Sequence, residues 1–74
     1  MTDPLAAVIG LVSGVLEVPA AEIGPDASME TIAAWDSLAQ LNICMEFAQR
    51  FNVPMEMTTI AEATSIAKLR ALLP

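Results

Sequence analysis

The chain has 74 residues, 55% of them apolar and 16% charged, and nine acids against three bases give a formal net charge of -6. This length supports one short domain, residues 1–74, with a small core, and so apolar a composition excludes a disordered chain. The charge excludes a binder of phosphate backbones, which needs clustered Lys and Arg, and a single cysteine, Cys44, excludes a disulfide framework and fits a reducing compartment.

The acidity is uneven. Residues 1–36 hold Asp3, Glu17, Glu22, Asp26, Glu30 and Asp36 with no base, whereas residues 37–74 hold three acids and three bases. Partners with basic surfaces suit such a chain. The pattern predicts an all-α fold: a small four-helix bundle of three longer helices and one short one, with a long loop between the first two. The first helix opens at Asp3-Pro4, a good cap followed by the favoured first helical residue. Leu5, Val8, Ile9, Val12, Val15 and Leu16 recur at helical spacing and face the core. Ala6, Ala7, Leu11, Ser13 and Gly14 are left for an outer face almost free of charge. Gly10-x-x-x-Gly14 permits close helix approach, so this face is read either as a neutral strip or as an apolar patch for a partner or a second copy. The helix stops at Glu17-Val18-Pro19. It is too short for the roughly 20 residues of a membrane span and lacks a basic leader and cleavage site. A cytoplasmic protein without stable membrane insertion is expected.

Residues 17–36 then form a long connection. Val18, Ile23, Met29, Ile32 and Trp35 are expected to pin it to the core, and Ser28–Trp35 is a candidate turn of helix. The second helix runs from Ser37 to Phe51, where Leu38, Leu41, Cys44 or Met45, Ala48 and Phe51 trace one stripe and Phe47 widens it. Asn52-Val53-Pro54 ends it. A short third helix lies within Glu56–Glu62. A fourth starts near Thr64-Ser65 and carries Ile66, Leu69, Leu72 and Leu73 inward, with Lys68 and Arg70 near its C-terminal end, where positive charge suits the dipole.

The residues permit little catalysis. With no His and no Tyr in the chain, a serine or cysteine nucleophile lacks its usual base, and the protein is read as not an enzyme. Cys44 falls among apolar residues in mid-helix and is read as a small buried hydrophobe. No Cys/His cluster or calcium loop suggests a metal, and no Gly-rich loop suggests a nucleotide.

Ser37 stands apart. Its hydroxyl opens the second helix, and two capping schemes are open. Asp36 is the cap and Ser37 the first helical residue, or Ser37 is the cap and Gln40 completes a capping box. Either way, the first turn of a helix favours an anion, so a phosphate ester on Ser37 would sit well at the end of an accessible loop.

Trp35-Asp36-Ser37-Leu38, in its context of an apolar first helix, a long loop, a second helix closing at Phe51, Val53-Pro54, and a final "ATSIAKLRALL", resembles a freestanding acyl carrier protein, with residues 1–74 as a single carrier domain. The resemblance implies a covalent 4'-phosphopantetheine on Ser37, cargo held on its thiol as a thioester, and installation by a phosphopantetheinyl transferase that recognises Asp36. It makes Leu38 and Met45 partner contacts. It implies an acyl- or aminoacyl-activating ligase and a downstream transferase or synthase as partners of a monomer. It also implies that apolar side chains such as Leu41, Cys44, Met45, Phe47 and Ile66 part to admit an acyl tail. One departure is plain: carriers of fatty acid synthesis have a strongly acidic second helix, whereas here it has one acid, Glu46, and one base, Arg50, which suits a specialised carrier. The competing class is an unmodified acidic interaction module. A membrane-surface protein is a third, resting only on the apolar first helix and lacking the basic face such helices carry.

Overall fold

A computed structural model describes residues 3–74. Four helices follow in order: α1 (Pro4–Leu16), α2 (Ser37–Phe51), α3 (Met57–Glu62) and α4 (Ile66–Ala71), with a short 3₁₀ turn at Ala20–Glu22. The described residues form no sheet; Ser28 and Ser65 make one isolated antiparallel bridge. The fold is the expected all-helical bundle, but with two long helices and two short ones. The fourth stops at Ala71, and Leu72 and Leu73 pack half-buried against the core from outside the helix.

Local chemistry sets the ends of α1 and α2. The Asp3 carboxylate accepts the Leu5 N–H at 3.1 Å, and Pro4 stands at the first helical position. Both long helices end on a left-handed residue that is not glycine, Glu17 at φ 56° and Asn52 at φ 54°. Each is followed two residues later by proline, which cannot continue a helix. The Ser13 hydroxyl donates to the Val18 carbonyl at 2.7 Å and fastens the turn after α1.

α1 packs on α2 and α4, and α3 lies against α2. The core gathers Val8, Leu11, Val12 and Leu16 of α1, Ile43, Cys44 and Phe47 of α2, and Ile66 and Leu69 of α4. Leu11 was expected on the outer face of α1; it is buried, one turn from Val8 and beside Val12, so the inner stripe is 8, 11, 12, 16. Gly10 and Gly14 are exposed, and nothing lies within 4 Å of where a Cβ would stand on either. No helix closes on them.

The 17–36 connection is pinned as its apolar residues suggest. Ile23 and Trp35 are buried, and Val18, Met29 and Ile32 are half-buried against the core. It is also laced to the junction before α4: the Met29 N–H donates to the Thr64 carbonyl at 2.9 Å and the Ile66 N–H to the Ala27 carbonyl at 3.0 Å. Residues 28–35 form successive turns rather than a helix, because Thr31 returns its hydroxyl and amide to Ser28.

Candidate functional site

The corner between Trp35 and Gln40 decides what α2 presents. Asp36 is the N-cap in extended conformation, and its carboxylate accepts the Ala39 N–H at 2.9 Å. Ser37 is thus the first helical residue; it is exposed, and the cap is made without its hydroxyl. The capping box with Gln40 does not form. The Gln40 side chain turns inward instead and is only 5% exposed.

There its amide meets three elements. Gln40 Oε1 accepts the Trp35 indole N–H at 2.7 Å. Nε2 donates to the Ile60 carbonyl at 2.7 Å and to the Ala63 carbonyl at 2.9 Å, at the end of α3. The Cys44 sulfur, 3.4 Å away, is a weak third neighbour. The amide orientation follows from the partners: exchanging oxygen and nitrogen would set an acceptor against two carbonyls and a donor against an indole N–H. Every buried side-chain polar atom among the described residues has a partner.

The inner face of α2 is therefore Gln40, Ile43, Cys44 and Phe47, with Phe51 half-buried and its ring 4.8 Å from that of Phe47. This corrects the expected stripe. Leu38, Leu41 and Met45 do not face the core; they are 69%, 43% and 59% exposed. The helix is apolar on two faces, and burying Ile43 and Phe47 with a satisfied Gln40 leaves the other face outside. Leu38, Leu41 and Met45, at helical spacing, run down the exposed side from the turn that carries Ser37. Met57, opening α3, is 85% exposed. The five residues expected to part for an acyl tail are not one lining: Leu41 and Met45 face solvent, whereas Cys44, Phe47 and Ile66 are fully buried. Burial pushes the Cys44 thiol above its ordinary value, which keeps it protonated and inert.

Other features lie apart from Ser37. A groove of about 380 Å³ between α3 and α4 is lined by Thr59, Glu62, Ala63, Lys68, Ala71 and Leu72. Among the described residues, no group of His, Cys, Asp and Glu side chains is placed to hold a metal ion, and no helix is long and apolar enough to cross a membrane.

Compared with known families, residues 6–73 match the phosphopantetheine attachment site. The chain belongs to the phosphopantetheine attachment family. Members of this family bear a covalent 4'-phosphopantetheine, and the corner fits such a group. It offers a free primary hydroxyl, first-turn amides of Ser37 and Leu38 with no carbonyl one turn earlier, and the positive end of a 15-residue helix. The match covers nearly all of the described bundle. Comparison with curated proteins and with solved structures returned no match. Sequence reasoning placed Ser37 and Asp36 at the head of α2 but missed Gln40 as a structural centre. The Trp35-x₄-Gln40 spacing was the one available signal.

Proposed function

We propose that this protein is a freestanding acyl carrier, not itself an enzyme, and that Ser37 is the residue that bears the arm. The family match supports a carrier; the observation that supports Ser37 is its exposed position in the first turn of α2, with Asp36 making the cap in its place. Loading joins Ser37 Oγ to the phosphorus that carries pantetheine in coenzyme A. The pyrophosphate bond breaks, 3',5'-ADP leaves, and the serine proton passes to a base of the phosphopantetheinyl transferase, since the chain has no His. When bound, the group supplies a thiol on which an acyl or aminoacyl unit is held as a thioester. The chain's own part is to raise the concentration of that unit at partner active sites.

In this reading Asp36, the residue next to the hydroxyl, is recognised by the transferase, and Leu38 and Met45 meet partner enzymes through the exposed face of α2. That face carries little charge, which favours a specialised pathway, with its own activating ligase and downstream transferase or synthase, over housekeeping fatty acid synthesis. The protein acts as a cytoplasmic monomer.

The test is intact mass before and after incubation with coenzyme A and a broad-specificity phosphopantetheinyl transferase. Wild type gains one phosphopantetheine and Ser37→Ala gains none. A folded, initially unmodified wild type that gains nothing would return the corner to a helix cap and leave an unmodified interaction module.

A further inference from the structure

Ser37 is exposed at the head of α2. Its position is set by what lies on either side of it, and both sides are held by one residue. The Gln40 backbone N–H donates to the Asp36 carbonyl at 2.8 Å, and the Gln40 side chain accepts from the Trp35 indole at 2.7 Å. The segment from residue 35 to residue 40, with Ser37 in its middle, is thus closed on itself twice. The same amide anchors that closed segment to the Ile60 and Ala63 carbonyls of α3 and its end.

Trp35 and Gln40 are both buried, so the bonds of the Gln40 amide to the Trp35 indole and to the Ala63 carbonyl have no water to replace them, and opening either leaves a polar group unpaired. A helix start needs no such device. The Asp36 carboxylate already caps the helix through the Ala39 N–H, and an apolar side chain at position 40 would fill an inner-face position equally well in terms of pattern. What the amide adds is fixed geometry around the hydroxyl.

We propose, on the reading that Ser37 is the loaded serine, that Gln40 is the positioning residue of the site, acting with Trp35 to hold the Ser37 hydroxyl in the attitude required for in-line attack on phosphorus. Displacement of a reacting atom by about 1 Å costs on the order of a hundredfold in rate. Loosening this corner therefore lowers the turnover of loading, while the docking face formed by Leu38, Leu41 and Met45 stays intact.

The experiment measures kcat and KM for phosphopantetheine transfer from coenzyme A, with a broad-specificity transferase and the full chain as the varied substrate. Wild type, Gln40→Leu, Trp35→Phe and, as a control, Val12→Ala are compared at a temperature where circular dichroism shows each folded. Val12 is buried on α1 and has no polar side-chain atom to enter the corner's hydrogen bonds, so it reports on general destabilisation. Gln40→Leu is expected to lower kcat about tenfold and Trp35→Phe by a smaller factor, with KM within about twofold and Val12→Ala unchanged in both. If Gln40→Leu does not fold, Trp35→Phe, which removes the indole N–H and trims the ring, decides when read against the cavity made by Val12→Ala. A folded Gln40→Leu, or failing that Trp35→Phe, that loads at the wild-type kcat overturns the inference and leaves the carrier reading standing, as does an equal loss in Val12→Ala. Wild type that accepts no arm overturns both.

Discussion

Cys44 shows at the scale of one residue how burial becomes chemistry. It is fully enclosed and lies 3.4 Å from the Gln40 amide, and desolvation raises its thiol above the ordinary 9.0. Well below pH 9.0 the thiol is protonated in both folded and unfolded chains, and it makes no contribution that depends on pH. Above that value the unfolded chain loses the proton and the folded chain keeps it, so the unfolded state binds fewer protons and stability falls as pH rises. The loss continues until pH passes the folded value, with a slope of up to about 1.4 kcal/mol per pH unit. Urea denaturation of wild type and Cys44→Ala across pH 8 to about 10.5 isolates this, because Lys68 and the remaining titratable groups are common to both. Wild type is expected to lose stability faster than the variant above pH 9. Parallel curves would mean that the thiol is reached by water in the folded protein. Neutral and buried, Cys44 is a small hydrophobe of the inner face, whereas the Ser37 side chain is exposed.

At the scale of the element, α1 and α2 each carry more apolar surface than the core uses. On α1 the excess is small-residue surface. Gly10 and Gly14 have helical backbone without positive φ, and no atom lies near a Cβ built on either. Each weakens the helix without gaining a contact, so Gly10→Ala and Gly14→Ala should each stabilise the protein by about 0.5–1 kcal/mol, read as a shift in urea midpoint at constant m. A loss instead of a gain would show that something packs on that face in solution. On α2 the excess is Leu38, Leu41 and Met45, and it is here that the sequence misleads. Residues 38, 41, 45 and 40, 43, 44, 47 are both helical stripes, and periodicity reports a stripe without saying which way it faces. The polar Gln40 disguised the inner one, since its partners, the Ile60 and Ala63 carbonyls, are 20 and 23 residues away along the chain. Leu11 was misplaced for the same reason, in a helix apolar nearly all round. The element ends were legible because they depend on neighbours only: Asp3-Pro4, Asp36-Ser37, and the prolines after Glu17 and Asn52. That is why the place of the candidate serine could be read from the sequence while the clamp around it could not.

At the scale of the molecule, the unequal charge of the two halves has a consequence for stability. The first 36 residues hold six acids and no base, so every charge pair within that half is repulsive, and folding brings those charges closer than the extended chain does. Two of the six, Asp3 and Asp36, also sit at helix N-termini, where the dipole favours them. Added salt screens that attraction along with the repulsion. The two effects are unequal, because the cap residues keep their hydrogen bonds to Leu5 and Ala39 at any ionic strength, whereas Glu17, Glu22, Asp26 and Glu30 are exposed and have no base in their half to offset them. Screening becomes effective over about 10 Å near 0.1 M salt. Raising NaCl from about 10 to about 150 mM is therefore expected to lift the melting temperature by about 2–5 °C, a shift that corresponds to under about 1 kcal/mol in a domain of this size. Glu30→Gln should reproduce part of the gain at low salt and respond less to added salt. A melting temperature that stays level or falls would show that the bases of the second half, Arg50, Lys68 and Arg70, already neutralise the first. The acidity would then be folded into the bundle rather than presented to partners. If the gain is found, the same uncompensated charge is what a basic partner surface would meet beside a net-neutral α2, dividing long-range attraction and apolar contact between the two halves of the chain.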